Sequence, residues 1–184
     1  GFFTQSELDA GKGIVRSGID EQELAGSRPA DWRELVPMGE GSFSGERLGA
    51  LRGGDLVGAF GEAFSGLPMT RPLTIPGERM RLVHRVTELD PLGGRYGIGS
   101  IVAEADIHPD DWFLTCHFSD DQVMPGTLMY ECCLHTLRIF LLRMGWIAES
   151  ESATWQPIVG VKSRLRCRGQ VLASTQRVTY EIHL

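Results

Sequence analysis

From Thr127 to Trp146 the chain reads TLMYECCLHTLRIFLLRMGW, with no proline and a single glycine, Gly145, near its end. That pattern predicts one continuous helix of roughly 30 Å. Its apolar residues, running from Leu128 to Met144, occupy nearly every face rather than one stripe, so the helix is expected to be wrapped on most sides. The polar exceptions fall in register. Glu131, His135 and Arg138 are spaced four and then three residues apart, which sets them on one ridge.

Upstream, RLVHRVTEL at 81–89 and YGIGSIVAEADI at 96–107 are rich in β-branched and aromatic residues and are separated by a turn at Gly93 and Gly94. They predict an antiparallel pair. Downstream, PIVGVKSRLRC at 157–167 and ASTQRVTYEIHL at 173–184 predict two further strands, joined by a short turn at Arg168-Gly169-Gln170. An apolar helix with antiparallel strands before and after it implies an α+β arrangement, a sheet curled around one helix.

Ser44 is placed to cap a short amphipathic helix with Leu48, Leu51, Leu56 and Phe60 on its apolar side, interrupted at Gly53 and Gly54. The run from Pro68 to Gly77 then breaks the chain. Residues 1–41, rich in Gly, Ser, Asp and Glu, read as a linker or wrap-around segment, or the tail of a preceding unit. FTQSELDA at 3–10 echoes FSGERLGA at 43–50, but two short matches do not establish a repeat.

Composition narrows the functional classes. At 184 residues and 42% apolar content the chain fits one domain with room for an appendage, and its net charge of −6 leaves no basic footprint for nucleic acid. No apolar run unbroken by charge reaches membrane-spanning length, and the first residues lack the basic-then-apolar order of a signal peptide, so the chain reads as soluble and cytoplasmic. The four cysteines, at 116, 132, 133 and 167, lack the paired spacing of a zinc site or a disulfide framework and read as small buried apolar residues.

The stretch DIHPDDWFLTCHFSDDQVMPGTLMYECCLHT at 106–136 resembles the active-site segment of the bacterial 3-hydroxyacyl-acyl-carrier-protein dehydratases. The specific pieces are Pro-Asp-Asp-Trp-Phe at 109–113, Cys-His-Phe at 116–118 and Val-Met-Pro-Gly at 123–126. The resemblance implies a hot-dog fold, an antiparallel sheet wrapped around a long central helix, over residues 42–184. An ending inside a strand would also fit an excised fragment. MPGTLMYECCLHTLR and FSGERLGALRGGDLVGAFG look closest to the dehydratase regions of polyunsaturated-fatty-acid and related polyketide synthases, where hot-dog units lie in tandem.

In that family a histidine precedes an acidic residue of the central helix by fourteen positions, which here joins His117 to Glu131. The implied reaction dehydrates a 3-hydroxyacyl thioester to the 2-enoyl thioester. It needs one group to take the C2 proton and another to protonate the departing C3 hydroxyl. The resemblance makes His117 the base and Glu131 the donor, with the Gly126 N–H at the helix N-terminus facing the charge that builds on the thioester oxygen. Phe118 and His135 join them as substrate-side residues, His135 within reach of Glu131 across one turn. Singly, a histidine beside a phenylalanine or a glutamate in a helix is ordinary; the joint spacing carries the assignment.

No cofactor or metal is implied, because the substrate rides on the phosphopantetheine of an acyl carrier protein. Sites of this family are built across a two-fold interface, so a homodimer or a tandem hot-dog partner is expected. The alternating Lys162, Arg164, Arg166 and Arg168 fit either a solvated strand face or a docking face for the acidic carrier. Three features depart from the family pattern. Ser119-Asp120-Asp121 replaces a more usual Pro-Gly or Ile-Gly before the acid. His135 stands where glutamine is common, and Glu131 is typical of the dehydratase-only branch whereas the upstream run resembles the dehydratase/isomerase branch, which leaves isomerase activity open. The alternatives are a non-catalytic scaffold unit and a hot-dog thioesterase.

Overall fold

The computed structural model describes residues 4–10, 27–68, 73–118, 120–147 and 169–184. In chain order it has helices α1 (Gln5–Asp9), α2 (Gly45–Arg52) and α3 (Leu56–Phe60), strands β1 (Arg85–Asp90) and β2 (Ser100–Asp106), helices α4 (Trp112–Cys116) and α5 (Gly126–Arg143), and strand β3 (Arg177–His183). The expected strand at 157–167, the basic residues from Lys162 to Arg168, and Cys167 lie outside the described residues.

The strands form one antiparallel sheet in the order β1-β2-β3. β2 pairs with β3 in unbroken register from Ser100–His183 to Asp106–Arg177. β1 pairs with β2 on the other side, with a register shift between Val86 and Glu88. Alternation along β2 separates two faces: Ile101, Ala103 and Ala105 are buried, while Glu104 and Asp106 lie on the opposite side with Arg85 and Arg177. There Arg85 donates to Glu104 at 2.6 Å and to both oxygens of Asp106 at 2.7 Å. Those hydrogen bonds hold the Asp106 carboxyl down at about 2.

α5 packs on the buried face, against β2 and β3. Its N-terminal half shares a core cluster with Leu82, Ala105, Phe113, Met124 and Tyr180, and its C-terminal half shares one with Phe43, Leu48, Leu51, Val86 and Ile101. The single interrupted helix expected from the leucine spacing is two helices, α2 and α3, separated at Gly53–Asp55. Ser44 accepts the Arg47 N–H, Asp55 caps the second helix through the Gly58 N–H at 2.8 Å, and Leu48, Leu51, Leu56 and Phe60 are all buried. Residues 27–43 lie against this body: Val36 belongs to the core, and Phe43 exchanges hydrogen bonds with Val86 at 2.9 Å.

Some expectations change. α5 ends at Arg143, short of Trp146, because Gly145 takes φ +84° and the Gly145 and Trp146 N–H groups close back on the Leu142 and Leu141 carbonyls. Arg143, the last residue of α5, is 1% exposed. Its guanidinium donates to the Pro37 carbonyl at 2.8 Å and stacks over Phe64. Cys132 is buried as expected and Cys133 half-buried, but Cys116 is exposed, since it ends α4 on the solvent side. β2 begins at Ser100 rather than near Tyr96 because Gly97 and Gly99 both adopt positive φ.

Gly99 tests this packing. Its φ is +145°, and a Cβ there would stand 2.3 Å from Cζ of Phe140 on α5. Gly99→Ala is expected to lower unfolding stability by about 1–3 kcal/mol in a urea titration. Adding Phe140→Leu should recover part of that loss, since it removes the collision but not the backbone strain.

Candidate active site

His117 is placed by two elements. Phe113 and Leu114 anchor α4 in the core, and the His117 N–H caps it by donating to the Phe113 carbonyl at 3.2 Å. Its ring is then set by the Val123 carbonyl, 3.1 Å from Nδ1. A carbonyl can only accept, so the proton sits on Nδ1, and Nε2 keeps a lone pair able to take a proton. Val123 is itself held, by a bridge to Leu172, and the next residue, Met124, donates its N–H to the Val171 carbonyl at 2.9 Å. The Phe118 ring lies 4.5 Å from the imidazole and is 63% exposed, an apolar surface beside a half-buried histidine.

The loop after Met124 turns at Pro125 and starts α5 at Gly126, with no side chain capping the helix. The Leu128 and Met129 N–H groups both fold back to the Pro125 carbonyl. Among the described residues nothing accepts from the N–H groups of Gly126 and Thr127, which leaves donors at the positive end of an eighteen-residue helix.

Glu131 sits in the second turn of α5 with its side chain 36% exposed. His135, one turn on, is 2% exposed, and its Nε2 lies 3.7 Å from Glu131 Oε1, too long for a hydrogen bond. That Nε2 is buried and has no hydrogen-bond partner among the described residues. Burial first, and then the charges of Arg138 and Arg52, push the His135 imidazole down to about 4, so it is neutral at ordinary pH.

The structure therefore brings Glu131 and His135 together on the predicted ridge, places Gly126 at the head of the same helix, and stacks Phe118 on His117. Among the described residues no hydrogen bond or ion pair within the chain joins His117 to Glu131.

Two residues given no role by the sequence stand out. His84 accepts the Asp106 N–H on Nδ1 at 3.1 Å, and burial pushes its imidazole down. It lines a cavity of about 180 Å³ with Ala105, Ile107, Trp112, Phe113 and Met124. Arg52 donates from Nε and Nη2 to the Pro76 and Val83 carbonyls, while its Nη1 is buried without a partner among the described residues. Neither had a signal in the sequence, since both stand in ordinary mixed polar and apolar runs.

No described helix is long and apolar enough to cross a membrane. Over its full length the chain is 29% identical to one of the polyunsaturated fatty acid synthase subunits of Thraustochytrium sp. (strain ATCC 26185 / S-3), and it spans 12% of that protein. The profile of the FabA-like domain matches residues 75–184, which hold β1 to β3, the His117 loop and α5. With a long helix packed on an antiparallel sheet, the architecture is the hot-dog arrangement that the motifs implied, and the chain belongs to the FabA-like domain family.

Proposed function

We propose that this chain dehydrates a (3R)-hydroxyacyl thioester, carried on the phosphopantetheine of an acyl carrier protein, to the trans-2-enoyl thioester in the synthesis of polyunsaturated-type fatty acids or polyketides. The observation that carries the reading is the His117 tautomer. With Nδ1–H committed to the Val123 carbonyl, Nε2 is left as a proton acceptor beside an exposed aromatic surface. The family match and the likeness to a polyunsaturated fatty acid synthase support the substrate class.

In this reading His117 Nε2 takes the C2 proton. The negative charge that moves onto the thioester oxygen is met by the Gly126 N–H, unengaged among the described residues at the helix N-terminus. Glu131, as the neutral acid, gives its proton to the C3 hydroxyl; the C–O bond breaks, water leaves, and the C2–C3 double bond forms. The products leave His117 protonated and Glu131 ionised, and water restores both. Phe118 offers apolar contact to the acyl chain next to the base, and His135 supports Glu131.

Base and acid belong to different copies or tandem units in this reading. Support comes from the outward side of α5, where Tyr130, Leu134, Leu137 and Leu141 recur at helical spacing and are only half-buried. Such a stripe suits a second hot-dog unit laid against it. A partner helix there would finish the wrapping that the apolar pattern of α5 calls for.

The direct test is incubation of the purified protein with 3-hydroxyacyl pantetheine thioesters of several chain lengths, with the products read by mass spectrometry in both directions. Enoyl thioester is expected from the parent, and His117→Ala and Glu131→Ala should each lower kcat by about 10²–10⁴-fold. A 3-enoyl product would add isomerisation. Free acid, or no turnover in a folded dimer, would overturn the reading.

Gly126 allows a cleaner probe of the oxyanion contact. Proline is tolerated at the first position of a helix, and Pro125 already has ψ 135°, which a following proline accepts. Gly126→Pro should keep the fold by circular dichroism while lowering kcat about 10²–10³-fold through loss of one N–H donor. Gly126→Ala, which keeps the donor, should stay near the parent rate.

A further inference from the structure

α4 has only five residues, and a helix that short does not persist on its own. Its last turn hands over to His117, whose N–H donates to the Phe113 carbonyl at 3.2 Å. Its first turn has little local support. Asp111 stands at the N-cap, but its side chain caps nothing in the helix and instead accepts the His108 N–H at 2.9 Å. Phe113 and Leu114 are buried in the core. An anchor of two adjacent residues fixes where a short helix lies and leaves its tilt to other contacts.

A contact from a distant part of the chain supplies what the first turn lacks. The Trp112 indole donates from Nε1 to the Arg79 carbonyl at 2.8 Å. Arg79 is the middle residue of a 3₁₀ turn, Glu78–Met80. The carbonyls of Gly77, Glu78 and Met80 accept the N–H groups of Met80, Arg81 and Leu82, so the Arg79 carbonyl is the one the turn offers to another element. Glu78 holds φ +49°, a left-handed conformation that a residue with a side chain enters at a cost.

Both partners line the cavity of about 180 Å³, together with Leu82, Phe113 and Met124. Open volume therefore lies beside the first turn of α4, and the hydrogen bond joins elements there that close packing does not hold. Met124 follows Val123, whose carbonyl sets the His117 ring, so the two segments that meet at that ring border the same cavity.

We propose that Trp112 is a positioning residue: with its N–H held by the Arg79 carbonyl, the indole sets the tilt of α4 and so keeps His117 Nδ1 on the Val123 carbonyl. The tilt carries over because His117 is tied to α4 by its own N–H as well as by the chain. The Nδ1 contact is 3.1 Å, so a displacement of about 0.5 Å takes it past hydrogen-bond length. A ring released from Val123 no longer has Nδ1 selected as its protonated atom, and Nε2 carries the proton in part of the molecules. For catalysis this rests on the reading above that His117 Nε2 is the base, since a molecule protonated there has no lone pair to take the C2 proton.

The experiment reads the tautomer first and the rate second. In parent protein labelled with ¹⁵N-histidine, NMR should show His117 with its proton on Nδ1. Trp112→Phe, which keeps an aromatic ring and removes the donor, should give a mixture of the two tautomers, and kcat should fall about tenfold or more with KM within about threefold. Gly99→Ala, which destabilises through packing against Phe140, should leave the tautomer as in the parent, so that loss of stability alone does not produce the signal.

The acceptor side gives a second route that leaves Trp112 in place. Glu78→Gly accepts φ +49° and should keep the parent tautomer. Glu78→Val, β-branched and unsuited to that conformation, should displace the Arg79 carbonyl and shift the tautomer in the same direction as Trp112→Phe. The Trp112→Phe/Glu78→Val double variant should shift it no further than Trp112→Phe alone, because both changes remove one hydrogen bond. If Trp112→Phe fails to fold, the two Glu78 variants decide.

An unchanged tautomer in folded Trp112→Phe would overturn the proposal, as would matching spectra for Glu78→Gly and Glu78→Val, or a shifted tautomer with an unchanged kcat. If the parent turns over no thioester, the dehydratase reading falls, while the tautomer spectra still decide whether Trp112 positions the His117 ring.

Discussion

A helix that is apolar on opposite sides needs cover on both, and α5 sets that condition for everything around it. One side is met within the chain: Leu128, Cys132, Ile139 and Leu142 are buried against the sheet and the α2–α3 hairpin. The other side, from Tyr130 to Leu141, is only half-buried. Fixing α5 this firmly also fixes its first turn, and with it the direction of the Gly126 N–H and the depth of Glu131. The chemistry at the N-terminal end thus depends on packing at the C-terminal end, where Arg143 inside the core ties the helix to the segment around Pro37.

Period and punctuation made much of this legible. The presence of α5, the antiparallel β1–β2 pair, the Ser44 cap and four of the five buried residues of α2 and α3 follow from alternation, helical spacing and a capping side chain, all local properties of sequence. The His117–Glu131 spacing was legible as a motif, and the Glu131–His135 pair as a ridge.

What stayed hidden depends on distant parts of the chain. Nothing local marks Arg143 for burial or Arg52 for its backbone partners; Pro37 and Phe64 decide the first, and Pro76 and Val83 the second. Cys116 read as buried from its residue type, but a five-residue helix leaves its last position open to solvent. A helix apolar all round also carries no periodic signal for which side meets its own sheet. His84 is engaged by the Asp106 N–H, a contact that exists only once β2 lies beside the residue preceding β1.

The two proton-transfer candidates are held by different means, and the difference suits their tasks. His117 is set by a backbone carbonyl, which can only accept, so the neutral ring carries its proton on Nδ1. Glu131 is half-exposed and has no direct hydrogen-bond partner among the described side chains; 3.7 Å from its Oε1 lies Nε2 of His135, an imidazole that burial first and then two arginines keep neutral. A backbone acceptor thus orients one candidate, and a side chain one helical turn away stands beside the other. With the first on the loop after α4 and the second on α5, packing sets each separately.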